Sequence, residues 1–366
     1  MIRVLHLLER DADFETQRGA DGLARALGEG FSVTTRSIGY GGDWRDVPTA
    51  AAMLRRSQPP FDVVHAWGAR ALTVAAFGSG ARIVFSPAPE TRAKVVRWLR
   101  AVMSHRDVNV VAPSSTLRRR LVERGVPLER CHLVRPGVEF ARVRRRRDDA
   151  LRAQLGLNAT DHVFLACGES TRAAAHIDAV WATGILNVAD ERHKVLLWGQ
   201  GEQTDALRRL AEHWGRPDML RVAEPRLGRR RRRVEFEELL PATDTILVPA
   251  RGAVATLPIA IAMASGLPIV AAATPTVSEL LEDRHTALMT QPAKPRLLAR
   301  RILDLQEDPS LQWSVADMAR TEAFEFFAFT RFVNQFRQVY RQVAQGAAVQ
   351  VPEEAPGAGL RFHGRA

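Results

Sequence analysis

A short apolar run ends in two side chains that could carry chemistry. Residues 61–67, Phe-Asp-Val-Val-His-Ala-Trp, have the composition of a buried strand that places His65 and Trp67 at its carboxyl end. Ligands bind at the carboxyl ends of parallel strands in alternating α/β proteins. There the imidazole of His65 can transfer a proton, whereas the indole of Trp67 can stack on a sugar or a base but cannot take up a proton. The alternative for His65 is a structural hydrogen bond within its own loop.

A second candidate site uses backbone amides. Residues 244–284 predict a buried strand, a glycine-bearing loop, an apolar helix over 256–265, a Gly-Leu-Pro stop and another buried strand. Gly252 or Thr256 would open the helix, and the first amides of a helix have no partner within it. Those amides can face an anion, which the helix dipole favours. The Gly-Leu-Pro stop is explained by helix termination alone.

Two arginine-rich segments predict either solvated loops or an anion-binding surface. The first holds Arg142 and Arg144–Arg147, and the second is an unbroken run of five arginines. Clusters of this kind attract phosphate groups and anionic lipids, so together they could form one basic face. The five residues of the second run are Arg229, Arg230, Arg231, Arg232 and Arg233.

The composition is that of a globular protein with a basic excess. With 46% hydrophobic and 25% charged residues over 366 positions, the chain is not disordered, and its length predicts two domains. The net charge of +11 has two possible explanations, the high arginine content typical of a GC-rich genome or attraction to phosphate groups. No nucleic-acid-binding motif is visible. Cys131 and Cys167 are too few for a metal site or a disulfide framework, so we expect no metal and a reducing cytoplasm. No apolar run approaches the roughly 18 residues of a membrane span.

Strands and helices alternate along the chain, which predicts an α/β protein with parallel sheets covered on both faces. Strands are predicted over 31–38 and 108–112, among others, and helices over 20–28, 235–242 and 276–282. The predicted domains are an N-terminal domain over 1–140, a basic linker over 141–160, a C-terminal domain over 161–325, a helix over 326–346 that crosses back to the first domain, and a disordered tail over 347–366.

Five segments together resemble glycosyltransferase family 4. They are the strand and histidine of 61–65, Ala-Pro-Ser-Ser at 112–115, Leu-Val-Arg-Pro-Gly-Val-Glu at 133–139, the strand and Gly-x-Gly turn of 195–202, and the segment 244–284. The resemblance implies the GT-B fold, with two Rossmann-like domains facing a cleft. It also implies retaining transfer of a sugar from a nucleotide-sugar donor to an acceptor, which could be lipid-linked or a glycan.

The resemblance places the donor in the C-terminal domain, where several family positions are changed. An Arg and a Lys that neutralise the diphosphate in the family fall here on Glu169 and Ala174, and Arg172 is the candidate replacement. Two glutamates eight residues apart, which contact the sugar and the ribose in the family, fall on Ala253 and Ile261. The donor-binding candidates are Gly168, Arg172, Gly199, Gly201, Gly252, Thr256 and Glu279.

In the N-terminal domain the resemblance assigns cleft positions. The family has a second histidine two residues after His65, and here that position is Trp67. Its glycine pair after the first strand is reduced to Gly19 and Gly22, and Arg18 is expected to face the cleft.

Three hypotheses follow. The first is a divergent glycosyltransferase that uses backbone amides and replacement arginines. The second is an inactive pseudo-glycosyltransferase that serves as a binding or partner module, since the changed positions include both glutamates and both phosphate-binding cations. The third is a basic protein that binds nucleic acid or a membrane surface.

Overall fold

The computed structural model describes residues 1–39, 44–57, 60–144, 146–223 and 234–351. The chain divides into two compact units, Met1–Gly137 with Phe329–Ala366, and Val138–Ala328. The arginine run 229–233, Arg145 and the tail beyond residue 351 lie outside the described residues.

The first unit is built on a parallel six-stranded sheet. Its strands are β1 Ile2–Glu9, β2 Phe31–Ile38, β3 Val63–Trp67, β4 Arg82–Ser86, β5 Val108–Ala112 and β6 Cys131–Leu133. The strand order is β2-β1-β3-β4-β5-β6, with Ile2 opposite Phe31 and Val4 opposite Val63. Since the chain leaves β1 toward one edge and β3 toward the other, the order reverses between β1 and β3. Ligands bind at such a switch point in open α/β sheets.

Among the described residues before Gly137, five helices alternate with the strands of this unit. They are α1 Phe14–Ala26, α2 Asp46–Arg55, α3 Ala69–Gly78, α4 Ala93–Met103 and α5 Ser115–Glu123. The start predicted for the first helix, at residue 20, is wrong by six residues because Asp13 caps the helix, its carboxylate accepting from Thr16 N at 2.8 Å.

The second unit repeats the architecture with a different strand order. Its strands are β7 His162–Ala166, β8 His193–Leu197, β9 Leu220–Val222, β10 Thr245–Val248, β11 Ile269–Ala272 and β12 Leu288–Thr290. The order β12-β11-β10-β7-β8-β9 is parallel throughout and reverses between β7 and β10. The second switch point is therefore formed by the ends of these two strands.

The helices of the second unit are α6 Asp149–Gln154, α7 His176–Leu186, α8 Thr204–His213, α9 Leu257–Ser265, α10 Pro295–Glu307 and α11 Pro309–Phe326. Two predicted helices are wrong. Residues 235–242 form two 3-10 turns, Phe236–Glu238 and Leu240–Ala242, the second of which carries Pro241. Residues 276–282 form turns, which begin where Thr274 accepts a hydrogen bond from Ser278 N at 2.8 Å.

Residues 141–160, predicted to be a basic linker between the domains, are part of the second unit and pack within it. Arg152 of α6 is 0% exposed and donates to Asp244 at 2.6 Å. Arg142 lies 3.3 Å from Glu237, and Arg147 donates to Asp149 at 2.8 Å. Two of these ion pairs engage Arg142 and Arg147, arginines of the segment for which a basic face was one of the two alternatives.

The last helix, α12 Phe329–Gln345, belongs to the first unit. Phe332, Phe336 and Tyr340 pack in one core cluster with residues of β1. Residues 347–351, which start the tail predicted to be disordered, are described, and Val349 is 9% exposed in the same cluster. In the described parts of the chain, no helix has both the length and the apolar character needed to cross a membrane.

Candidate functional site

The switch point of the second unit is lined by glycine turns. Gly168 follows β7 with φ of +80°, a conformation that an L side chain rarely adopts. A Cβ there would lie 3.6 Å from Pro258, in the first turn of α9. The turn after β7 therefore lies against the N-terminal end of α9.

The loop after β10 is clamped onto the loop after β7. The amides of Arg251 and Gly252 both donate to the carbonyl of Ala173, at 2.8 and 3.3 Å. The Arg251 guanidinium also forms two hydrogen bonds with the Asp178 carboxylate, at 2.8 and 2.5 Å, and Asp178 is only 3% exposed. These hydrogen bonds raise the pKa of Arg251 above its ordinary value. Main-chain and ionic contacts together fix the two loops.

A third turn packs against the same loop. Gly199 has φ of +69°, and a Cβ on Gly201 would lie 2.8 Å from the carbonyl oxygen of Ser170. Gln203 N donates to that oxygen at 3.1 Å, and Gly201 N donates to Thr204 Oγ1 at 2.8 Å. Of the predicted glycines, Gly168, Gly201 and Gly252 therefore each contact the two loops or α9.

The positions that carry acids in the family are occupied by apolar packing. Ile261 is 3% exposed, and all nine residues of α9 are buried. Ala253 is half-buried in the loop before the helix. Thr256 precedes α9 and is 2% exposed, but its side chain makes no capping hydrogen bond. The helix is thus part of the core of the unit.

The charged candidates differ in how firmly they are held. The Arg172 side chain is 83% exposed and pairs with Glu202 at 3.1 Å, so solvent screens this ion pair. Glu169 is half-buried, and Glu279, in the segment predicted as the helix 276–282, lies in a turn and is 4% exposed.

Two buried polar atoms beside the same loop have no partner among the described residues, Ser170 Oγ and His176 Nδ1. His176 donates from Nε2 to the carbonyl of Cys167 at 3.1 Å. Burial lowers the pKa of His176 to about 4, so its ring is neutral at pH 7.

The switch point of the first unit is built from charged side chains. Arg70, in the first turn of α3, is 4% exposed. Its backbone amide and Nε donate to the two oxygens of Glu9 at 2.8 and 2.9 Å, and its Nη2 donates to Asp11. Burial opposes ionisation, but hydrogen bonds and attraction from the two carboxylates raise the pKa of Arg70. Glu9, Asp11 and Arg70 are called the switch-point triad below.

His65 lies in the core of the first unit. It is 0% exposed, with Nδ1 2.6 Å from the Tyr340 hydroxyl and Nε2 2.9 Å from Ser86 Oγ. Burial, and then the nearby His6, lower its pKa well below the ordinary value. Both ring nitrogens have partners, so a structural role fits His65 better than a catalytic one, but these partners lie on α12 and β4 and not in its own loop as the structural alternative expected.

Trp67 was expected to be available for stacking, and the structure corrects this. The indole is 6% exposed and stacks on His65 with ring centroids 3.9 Å apart. A Cβ on Gly19 would lie 3.3 Å from the indole, so this glycine serves close packing. Arg18 lies over the ring of Phe14 at 5.6 Å.

Family comparisons agree with the two-unit architecture. Residues 11–142 match the model described as Glycosyltransferase Family 4, and residues 162–308 match that of Glycosyl transferases group 1. The chain is a family 4-like member of the GT-B glycosyltransferases. The strand orders and the flanking helices of both units are those of the GT-B fold.

Individual relatives of this family are distant in sequence. A D-inositol 3-phosphate glycosyltransferase of Salinispora arenicola is 26% identical over 291 residues, which are 75% of this chain and 63% of the relative. The Anabaena protein HepE, solved with UDP and glucose, has a TM-score of 0.77 at 18% identity and covers 93% of this chain and 100% of its own. Sucrose-phosphate synthase of Thermosynechococcus elongatus has a TM-score of 0.76 at 15% identity, with 95% and 100% covered. At these identities the two structures show the fold alone.

Sequence reasoning missed the charged contacts at both switch points. Arg251 pairs with Asp178 across 73 positions of the chain, and Arg70 pairs with Glu9 across 61. The positions of these residues in the sequence could have indicated the contacts, since Glu9 ends β1 and Arg251 precedes Gly252. Charged residues at the ends of buried strands or shortly after them could have identified both pairs.

Proposed function

We propose that the second unit binds a nucleoside-diphosphate sugar and that the protein transfers the sugar, with retention, to a hydroxyl of an acceptor. The observation that carries this proposal is the clamp of Arg251 and Gly252 on Ala173, which fixes two loops at the β7–β10 switch point in a glycosyltransferase fold. A preorganised pair of loops is what a phosphate-binding turn requires. The UDP bound in the HepE structure supports a uridine donor as the first probe.

Diphosphate is the leaving group of this reaction, so its developing charge must be stabilised. We infer that backbone amides at the Gly168 turn and at the start of α9 supply most of this stabilisation, since the family's two cations are replaced by Glu169 and Ala174. Arg172 is the candidate mobile cation, because its exposed pair with Glu202 is weak enough to exchange for phosphate.

Loss of the family's acids predicts weaker donor binding. Ala253 and Ile261 offer no carboxylate to the donor, and each missing charge-assisted hydrogen bond to a hydroxyl is worth roughly 1.5–3 kcal/mol. Glu279 and the glycines at 199 and 201 stay donor-site candidates on this proposal.

One observation favours a second candidate, an inactive pseudo-glycosyltransferase. Ile261 lies in a helix whose residues are all buried, so that position has become core instead of merely losing its acid. A protein of this kind would bind nucleotide or a partner without turnover.

Titration calorimetry of the full chain with UDP, GDP and their glucose conjugates tests the proposal, followed by assays of donor hydrolysis. Arg172→Ala should weaken UDP binding about tenfold, the effect of one charge-assisted contact. Arg209→Ala, on an exposed face of α8, is the matched control and should leave the affinity unchanged. Absence of binding by every nucleotide contradicts the donor site, and binding without any turnover supports the pseudoenzyme.

The acceptor and its location are also part of the proposal. We propose a lipid-linked or glycan acceptor reached from the cytoplasmic face of a membrane, on the basis of the net charge of +11 and the arginine run 229–233. Sedimentation of the full chain with anionic vesicles tests this, and a variant with all five arginines replaced by glutamine should sediment less. Equal sedimentation of both proteins contradicts the membrane role of the run.

A further inference from the structure

We propose that the switch-point triad of Glu9, Asp11 and Arg70 is a binding site for a neutral, hydroxyl-rich acceptor, a sugar or a polyol. The inference rests on the proposed function, since it names the acceptor class of the same reaction. Asp11 is the group that contacts the acceptor, and Arg70 and Glu9 are positioning residues.

Position in the fold is the first support. Glu9 is the last residue of β1, and Arg70 lies in the first turn of α3, shortly after the end of β3, so the triad lies where the strand order of the first sheet reverses. The carboxyl ends of strands at such a point form the crevice that receives ligands in open α/β sheets. Among the described strands of the first sheet, β1 and β3 are the neighbours between which the order reverses.

Two hydrogen bonds to Glu9 hold Arg70 in place. Glu9 caps the first turn of α3 through the Arg70 amide and bonds the guanidinium of the same residue, at 2.8 and 2.9 Å. Gly68, with φ of +107°, leaves the space that this carboxylate occupies, since a Cβ there would lie 2.8 Å from Glu9 Cδ. A carboxylate held in this way can position the guanidinium, which in turn orients Asp11.

One member of the triad, Asp11, is accessible to solvent. The Asp11 side chain is 49% exposed and accepts from Arg70 Nη2 through one oxygen, Oδ1. Arg70 Nη1 is buried and has no hydrogen-bond partner among the described residues. Buried donors are normally satisfied, and a ligand or an ordered water is the usual partner when the protein offers none. A purely structural ion pair would not need an exposed carboxylate beside an unsatisfied donor.

The charge of the triad selects the class of ligand. Two carboxylates and one guanidinium leave a net charge of −1, with the negative group outermost. A carboxylate is an acceptor for hydrogen bonds, so it suits hydroxyl donors and repels phosphate. We therefore expect neutral polyols to bind here better than their phosphate esters.

Saturation-transfer NMR and calorimetry on the full chain test this assignment with two matched probe pairs, glucose with glucose 6-phosphate and inositol with inositol 3-phosphate. Asp11→Asn should weaken binding of the neutral probe about tenfold, because the charge-assisted hydrogen bond is lost. The same variant should bind the phosphate ester more tightly, because repulsion is removed. Glu29→Gln removes one exposed charge in the loop before β2 and should change neither affinity.

The outcomes separate this inference from the proposed function. UDP binding with polyol binding that Asp11→Asn leaves unchanged overturns the inference and keeps the donor site. Polyol binding that depends on Asp11, without any nucleotide binding, keeps the inference as a polyol site and removes the transferase. Failure of the wild-type chain to bind any neutral probe at the highest soluble concentration, or stronger binding of the phosphate esters, also overturns it. Because Asp11 is half exposed, its variants should fold, and an unchanged melting temperature checks this.

Discussion

The two switch points use different physics to hold a similar backbone feature. In the first unit, the carboxyl ends of β1 and β3 form the switch point, which we call the first edge. Side-chain charge fixes it, since Arg70 is 4% exposed and bonded to two carboxylates. In the second unit, the carboxyl ends of β7 and β10 form the corresponding second edge. Main-chain contacts around glycines fix most of it, together with the Arg251–Asp178 ion pair, whose arginine side chain is 47% exposed. The first edge offers a fixed carboxylate, whereas the second offers amides, so the first suits hydroxyl donors and the second suits anions.

This difference predicts which substitutions each edge tolerates. A charged edge fails when one ion of a buried set is removed, because its partners stay buried without compensation. A glycine edge fails when a side chain is added, because the atoms in the way belong to the backbone. Substitutions at both edges test the contrast, beginning with the one that has the largest expected effect.

Removing the buried arginine should have the largest effect. Arg70→Met keeps the length of the side chain but leaves Glu9 facing an apolar group, at a cost of about 3–5 kcal/mol in the free energy of unfolding. Arg251→Met is the matched change at the second edge, where half-exposure reduces the effect to roughly 1–2 kcal/mol. Urea unfolding of both variants measures the difference. Equal losses would show that the two edges are held in the same way.

Acidification should destabilise the first unit through its buried histidines. Burial lowers the pKa of His6 to about 4, so below pH 6.5 the unfolded chain binds a proton that the folded chain does not. Stability is therefore lost as the pH falls from about 6.5 to about 4, by up to about 3 kcal/mol for this residue. Hydrogen exchange of peptides from β1 and α12 at pH 7 and pH 5 measures the loss.

A variant separates burial from hydrogen bonding as the cause of that pH dependence. The Tyr340 hydroxyl lies 3.0 Å from His6 Nε2 and 2.6 Å from His65 Nδ1, so Tyr340→Phe removes a partner from both rings. We expect lower stability at pH 7 by about 1–3 kcal/mol with the slope between pH 6.5 and 4 retained. A slope that disappears in Tyr340→Phe would assign the effect to the hydroxyl instead.

Local patterns in the sequence predicted the elements well where burial is continuous. The strand at 108–112 is buried at every position and has the predicted bounds. The strand at 31–38 also has the predicted bounds, although it lies at the edge of the sheet, pairs only with β1 and is mostly half-buried or exposed. Residues 276–282 have apolar spacing compatible with a helix, but side-chain hydroxyls at Thr274 and Thr286 accept backbone amides and stabilise turns instead. The spacing of apolar residues does not show that side-chain hydroxyls stabilise turns in place of a helix.

The candidate sites were less predictable than the fold. The glycines at 168, 201 and 252 were identified, because a tight turn leaves a local mark in the sequence. The environment of His65 was not, since its burial depends on Tyr340, which lies 275 positions away. Contacts of that range are set by the topology of the sheet and by the return of α12, which no window of the sequence contains.

Adding one methyl group at the second edge should have a smaller effect than removing Arg70, and it tests the glycine contacts directly. In Gly201→Ala the new Cβ would lie 2.8 Å from the carbonyl oxygen and 2.9 Å from the amide nitrogen of Ser170, both backbone atoms, so one loop must shift. We expect a loss of roughly 1–3 kcal/mol in stability, the usual range for overpacking, and weaker UDP binding, because the same loop carries the Gly168 turn. Gly80→Ala is the control, since nothing lies within 4 Å of a Cβ there, and it should change stability by no more than about 0.5 kcal/mol. If the melting temperature and UDP affinity of Gly201→Ala equal those of Gly80→Ala, the second edge is not held by close glycine contacts, and the contrast between the two switch points is lost.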